Sequence, residues 1–320
     1  MTAAPGSGRP APIRTRVSEM LGVDYPIIQA PMGWIARSQL ASAVSNAGGM
    51  GIIETSSGQL DQVREEIRKM KDLTDKPFGV NIAGLFVKDP TIADFVIEQG
   101  VKFVTTSAGD PNKYAVPLMA AGLTVFHVVP TLKAALKAIS CGVNGLVVEG
   151  GEGGGFKSPR DVATMVLVPL VASKVDVPVI AAGGIIDGRS MAAAFALGAE
   201  GVQMGTRMVS AAESPVHDNW KQAIVAAAET DTVVLNRFSR PTLRALRTER
   251  TTRLERQEEM EPGAFGAVLD LYFGGDMEAA IPLTGQIAGR IDAVRSVADI
   301  IDDTVREFRA VAAGFAAYTA

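Results

Sequence analysis

From Pro26 to Met208 the chain alternates short apolar runs with longer stretches that are apolar on one side only. The runs Pro26–Pro31, Met50–Glu54, Phe78–Ile82, Lys102–Thr105, Thr124–Val128, Gly145–Glu149, Pro178–Ala182 and Gly201–Met204 are too short for helices and read as eight strands. Between them, Ser38–Ala47, Leu60–Lys71, Thr91–Gln99, Asn112–Ala121, Thr131–Ser140, a segment near Pro159–Ser173 and Gly188–Leu197 read as helices. Each repeat takes roughly 20–30 residues, as a βα unit requires. Near-continuous apolar strands joined by helical crossovers predict a parallel sheet buried on both faces. A (β/α)8 TIM barrel and an open doubly wound sheet both satisfy this. The chain's length and the glycines that end the last two strands favour the barrel. No G-x-G-x-x-G follows the first strand, which argues against a dinucleotide fold.

After Met208 the pattern changes. Residues 210–283 read as a mostly helical insertion after strand eight, a lid over the barrel. Within it, Ser214–Glu229 reads as a helix and Thr232–Leu235 as a short strand. Arg237–Arg256 is rich in arginine, Glu258–Pro262 is acidic, and Pro262–Gly275 holds several glycines. The arginines read either as a solvated surface or as a patch that meets an acidic substrate or carrier. The stretch Gln286–Phe308 is amphipathic through Ile287, Ile291, Val294, Ile300 and Ile301 and would supply the last barrel helix. The expected organisation is a loose arm over residues 1–16, a barrel over 17–209 and 284–320, and the insertion over 210–283.

Composition narrows the function. A chain of 320 residues with 47% hydrophobic content can form one large α/β domain with an appendage. A net charge of −4 offers no basic field, so a nucleic-acid partner is not expected. No apolar run reaches the roughly 18 residues of a membrane span, and the first residues lack the apolar core of a secretory signal. The single cysteine, Cys141, excludes an internal disulfide and fits a reducing cytoplasm. It precedes a glycine at a helix end and reads as a buried structural thiol. No metal site is expected, and a homodimer stays open.

In such barrels chemistry gathers at the C-terminal strand ends. The last two strands end in Gly183-Gly184 and Gly205-Thr206, whose backbone amides can approach a phosphate closely. The first ends in Ala30, Pro31, Met32 and Gly33, a stretch shaped to lie against something flat. The third ends near Asn81, the fourth in the polar loop Thr105–Asp110, and the fifth carries His127. The sixth runs into Glu149-Gly150-Gly151-Glu152-Gly153-Gly154-Gly155-Phe156-Lys157, five of whose residues are glycine. Such a run suits backbone that must pass close to a ligand. A flat heterocycle with a phosphate tail would satisfy these features together, and flavin mononucleotide (FMN) fits. Sugar-phosphate barrels use similar glycine turns.

The motifs QAPMG (Gln29–Gly33), AGGMG (Ala47–Gly51), PFGVN (Pro77–Asn81), VEGGEGGG (Val148–Gly155), PVIAAGGIIDG (Pro178–Gly188), LGAEGVQMGTR (Leu197–Arg207) and GQIAGRI (Gln286–Ile291) resemble those of the nitronate monooxygenase family, formerly 2-nitropropane dioxygenases. That family also includes flavin-dependent enoyl-thioester reductases and NADH:quinone reductases. The resemblance implies a barrel holding FMN non-covalently. Asn81, Glu149, Gly154, Gly183, Gly184, Gln203, Met204, Gly205 and Thr206 would be its contacts, with Ala30, Pro31, Met32 and Gly33 flanking the ring. Family members commonly place a histidine, the supposed proton-transfer residue, where this chain has Phe156. His127 on strand five and Lys157 beside Phe156 are the candidates to replace it. His217 in the insertion reads as a surface or cap residue. The resemblance implies oxidation of an alkyl nitronate with O₂. The alternative is reduction of a CoA- or carrier-linked enoyl thioester or a quinone, with NADH or NADPH as co-substrate. A flavin-binding barrel without turnover is the third reading.

Overall fold

The structure, a computed structural model, describes residues 8–318 apart from 88, 90, 258, 259 and 262. Eight parallel strands make the barrel: β1 (Ile27–Gln29), β2 (Gly51–Ile53), β3 (Phe78–Ala83), β4 (Phe103–Ser107), β5 (Thr124–Val129), β6 (Gly145–Glu149), β8 (Val179–Ala182) and β9 (Gly201–Met204). β7 (Gly155–Lys157) lies outside it, in the glycine loop. The order β1-β9-β8-β6-β5-β4-β3-β2 is closed by a parallel bridge from Ile28 to Met50.

Side chains alternate across this wall. Ile28, Met50, Ile52, Phe103, Phe126, Val147, Ile180 and Ala182 point inward and form one buried cluster. Ile27, Ile53, Val80, Val104, Val125, Leu146, Val179 and Val202 point outward and join the helices in a larger one. The helices of the barrel units are α2 (Ser38–Asn46), α3 (Leu60–Leu73), α4 (Thr91–Glu98), α5 (Ala115–Ala120), α6 (Leu132–Ser140), α7 (Thr164–Ala172) and α8 (Gly188–Ala196). On α3 the buried Val63, Ile67 and Met70 follow helical spacing, with charged residues on the other side. The helix α1 (Arg16–Leu21), held by a Thr15–Ser18 capping box, sends Val17 and Leu21 into the inner cluster and so plugs the barrel floor.

Several expectations change. Residues 8–15 do not hang loose: Ile13 donates its N–H to Asp24 O at 2.9 Å, Tyr25 donates to Pro10 O, and Arg306 and Arg309 hold the carbonyls of Gly8 and Ala11. The rest of the expected arm, residues 1–7, lies outside the described residues. The stretch 112–121 splits at Tyr114, because Asp110 caps a separate 3-10 turn at Pro111–Lys113. The helix after β6 begins at Thr164, where the Glu152 carboxylate accepts the first N–H. Cys141 is half-exposed rather than buried, at the C-terminal cap of α6.

The C-terminal stretch also divides. A 3-10 turn covers Gln286–Arg290, and the last helix, which we number α13 (Val297–Gly314), starts only after Ser296 caps it. Between them the chain is drawn away from helical geometry: Ala212 N donates to Arg295 O and Arg207 donates to Ala293 O. α13 then packs on α8 so closely that a Cβ on Gly188 would stand 2.1 Å from Phe308 N.

After β9 come α9 (Thr206–Val209), α10 (Asp218–Val225), β10 (Thr232–Leu235), β11 (Thr242–Leu246), α11 (Glu249–Glu255) and α12 (Val268–Tyr272). α10 is shorter than expected because His217 caps its start, accepting Asn219 N–H at 3.1 Å. The strands β10, β11 and β7 form an antiparallel sheet. The glycine loop after β6 is therefore an edge strand of a small sheet whose other strands belong to the insertion. One face of that sheet is apolar, with Val233, Leu235, Leu243 and Ala245 in a third buried cluster beneath Leu254 and Ile281.

Candidate active site at the barrel mouth

The glycine turns after β8 and β9 come first. Gly183 and Gly184 have φ of 92° and 75°, backbone that L side chains rarely adopt. Both are half-exposed, at the end of β8. Gly205 is half-exposed too, and a Cβ there would meet Ala30 at 3.6 Å. The two turns and the end of β1 thus share one wall. Thr206 is buried, and its hydroxyl accepts the Gly285 N–H at 2.9 Å.

Next to the turns, pairing across β6, β8, β9 and β1 sets Glu149, Ala182, Gln203 and Ile28 side by side on the inner wall. Gln203 is 7% exposed, and among the described residues its Oε1 has no hydrogen-bond partner. Burying an unpaired amide oxygen costs roughly 1–3 kcal/mol, so this acceptor fits a ligand that brings a donor. Met204 does not join it: its side chain turns out into the helix layer, and only its carbonyl faces β1, accepting Ala30 N–H at 2.9 Å. Ala30, Pro31, Met32 and Gly33 form a half-exposed run over the β1 end. That loop is fixed by the buried Glu54, which accepts Trp34 N–H at 3.2 Å and pairs with Arg37 at 2.9 Å. Asn81 faces inward from β3, and its amide donates to Thr105 Oγ1 at 2.9 Å.

The glycine loop closes the mouth. Lys157, its side chain 6% exposed, points back to pair with Glu149. Gly153 leaves room for this contact, because a Cβ there would lie 2.5 Å from Glu149 Oε1 and 2.6 Å from Lys157 Nζ. Glu152 turns the other way, accepting Thr164 N–H at 3.0 Å and its hydroxyl at 2.8 Å. Gly154 sits where a Cβ would be 2.7 Å from Gly285 N. Arg244 of β11 is 7% exposed and donates through Nε to Gly151 O at 2.8 Å. Its burial lowers its pKa. The arginine-rich stretch is therefore not one patch: Arg244 is an internal strut, Arg250 donates to Ala264 O, and Arg247 pairs with Glu255.

His127 is not in the mouth. On β5 Phe126 and Val128 point inward, so His127 points outward. It is 5% exposed, and its Nδ1 lies 2.7 Å from the Thr106 hydroxyl. Burial pushes its pKa down to about 4. It is a satisfied interior histidine. Phe156 also turns away from Glu149, onto the opposite side of β7 from Lys157. Its ring is 5.2 Å from Phe86 and stacked at 6.3 Å on Phe265.

Glycine turns after β8 and β9, a half-exposed loop over the end of β1 and an orphan amide oxygen, joined at one barrel mouth, suit a flat heterocycle with a phosphate tail. The comparison with protein families agrees: the nitronate monooxygenase family model matches residues 14–95 and 87–307. The chain belongs to the nitronate monooxygenase family. As a member it is a flavin-dependent oxidoreductase on a TIM barrel. Two curated relatives bracket it. The (3aS,4S,5R,7aS)-5-hydroxy-7a-methyl-1-oxo-octahydro-1H-indene-4-carboxyl-CoA dehydrogenase of Rhodococcus jostii is 39% identical over 248 residues, 78% of this chain and 70% of the relative. A probable nitronate monooxygenase of Staphylococcus saprophyticus is 32% identical over 282 residues, 74% of this chain and 79% of the relative. Among solved structures, FabK from Thermotoga maritima superposes with a TM-score of 0.90 at 40% identity, covering 96% of this chain and 99% of that one. Among the described residues no helix is long and apolar enough to cross a membrane.

The residues that fasten the loop had weak sequence signals. Arg244 lay among many arginines, and Glu152 and Thr164 are twelve positions apart. The loop's antiparallel pairing to β11 was the missing link.

Proposed function

We propose that this chain binds FMN across the barrel mouth and oxidises alkyl nitronates with O₂ as the final acceptor. The glycine turns at Gly183-Gly184 and Gly205 would take the phosphate. Ala30–Gly33, Asn81 and Gln203 would line the ring, with Gln203 Oε1 supplied with the donor it lacks. Bound FMN supplies the electron acceptor. The chain's own residues hold the substrate against it and exclude water.

One observation carries the choice of substrate. The mouth presents a buried cation, Lys157, and neither of the chain's two imidazoles. His127 faces the helices and His217 caps α10. A nitronate arrives already deprotonated, so it needs no general base, and a fixed cation is what its charge requires. Lys157, held by Glu149, would stabilise it. The test is oxygen consumption by FMN-loaded protein with propionate 3-nitronate and no NADH or NADPH. Sustained consumption supports the proposal. A flavin that NADH or NADPH bleaches under anaerobic conditions, with no oxygen uptake on nitronate, overturns it.

The 39% identity to the CoA dehydrogenase favours a second reading. Here the substrate is a CoA or carrier-linked thioester, and Lys157 faces the thioester oxygen as negative charge develops on it. NADH or NADPH would be the reductant in the reductive direction. Flavin bleaching or reoxidation by a saturated and an unsaturated acyl-CoA separates this reading from the first. The lone half-exposed thiol, Cys141, is in keeping with a reducing cytoplasm.

A further inference from the structure

The three rings Phe86, Phe156 and Phe265 come from three separate segments and meet at one place. Phe86 belongs to the loop after β3 and Phe156 to β7. Phe265 belongs to the insertion, packed against its buried cluster. In the closed barrel β3 stands four strands from β8, diametrically opposite it. The cluster therefore lies across the mouth from the glycine turns that would take the phosphate.

Two features set these rings apart from ordinary packing. Phe156 remains 45% exposed although it packs near two rings, and Leu85, next to Phe86 in the chain, is 73% exposed. Among the described residues β7 is also an edge strand, paired on one side only, by β11. A molecule that reaches its open edge meets Lys157 on one side and Phe156 on the other, one residue apart. The first offers a cation, the second an apolar face. A substrate with an anionic or polarised head and a hydrocarbon body matches both.

We propose that Phe156, with Phe86 and Phe265, forms an apolar lip that selects substrates by their hydrocarbon portion, and that Phe156 is a specificity-determining residue. This rests on the reading that places the substrate's charged head at Lys157. It also gives the replacement of the family's usual histidine a role: the position contributes surface instead of proton transfer. A fully buried methylene improves binding about fourfold. A lip that stays half-open should give about twofold per methylene.

The test uses unreactive planar anions in place of nitronates. FMN-loaded protein is titrated by calorimetry with the straight-chain carboxylates from propanoate to hexanoate. The wild type is expected to tighten about eightfold over those three methylenes. F156S should flatten the series to less than twofold, and F156L should restore most of it. F86S opens the same lip from the other loop and should flatten the series as well, which keeps the test valid where F156S folds poorly. An equal slope in wild type, F156S and F86S overturns the proposal, as does a wild type that binds no hexanoate. If the rings only clamp the insertion to the barrel, the variants lose thermal stability and keep the slope, which also overturns it. A slope that depends on Phe156 in a protein that consumes no nitronate keeps the lip and removes the nitronate reading.

Discussion

Replacing Lys157 by Met tests the chemistry most directly. The side chain is nearly isosteric along its stem, so the substitution removes the charge with little change in volume. Lys157 is 6% exposed, and water cannot take its place against the charge a bound nitronate already carries. Removing one preorganised electrostatic group from a water-poor site costs roughly 10²–10³ in rate. The structural cost is smaller. Glu149 keeps 27% of its side chain exposed and would be rehydrated once its partner is gone. The lost pair then falls between a surface ion pair at about 0–1 kcal/mol and a fully buried one at about 3–5 kcal/mol. A loss of about 1–2 kcal/mol, a few degrees in Tm, is expected. The assay is anaerobic stopped-flow reduction of the bound flavin by propionate 3-nitronate well below saturation, read as a second-order rate constant. K157M should slow it by about a hundredfold or more with a normal flavin spectrum, and K157R should recover part of the rate. A K157M protein that binds FMN fully and is reduced within threefold of the wild-type rate would refute the role of Lys157 and the substrate assignment built on it.

Four further outcomes are expected. Replacing His127 by Phe should leave turnover within about twofold, because the imidazole faces the helices; a drop of tenfold or more would return it to the mechanism. The same residue sets a pH dependence: its folded pKa of about 4 lies below an unfolded value near 6.5, so its contribution is present above pH 6.5 and is lost as pH falls from there toward 4, by about 3 kcal/mol in all. Urea unfolding at pH 7.5 and pH 5 should show this fall in wild type and a smaller one in the Phe variant, and parallel curves would contradict it. Gly188→Ala should destabilise the protein by about 1–3 kcal/mol or more, since the new Cβ would stand 2.1 Å from Phe308 N between α8 and α13, and an unchanged Tm would show that this helix pair can part freely. Arg244→Met should weaken FMN binding by about tenfold through loosening of the glycine loop, a loss that follows from removing its charge-assisted bond to Gly151 O at roughly 1.5–3 kcal/mol; equal FMN affinity, read by fluorescence quenching, would show that the loop holds its shape without the strut.

The barrel was legible because each strand run and each helix of the α3 kind carries its own period, and those periods need no knowledge of partners. The phase of a strand is another matter. In a parallel barrel both faces are buried, so β5 reads Thr-Val-Phe-His-Val-Val with no polar face to mark the outside. His127 could be placed on the strand but not on a side of it. Only the inward packing of Phe126 and Val128 decides that it points to the helices.

The glycine loop failed for a different reason. A three-residue strand, Gly155–Lys157, has no period to detect, and its partner Thr242–Leu246 alternates around an arginine whose polar side is covered by the barrel instead of by water. Pairing between residues nearly ninety positions apart is set by tertiary structure alone. Yet that pairing turns Lys157 toward Glu149 and sends Phe156 to the other side, because neighbours on a strand must face opposite ways. The departure from the family at Phe156 was visible as a missing histidine. What it means depends on the strand: the aromatic ring was never positioned to replace a base, and the charge at the mouth comes from the next residue along.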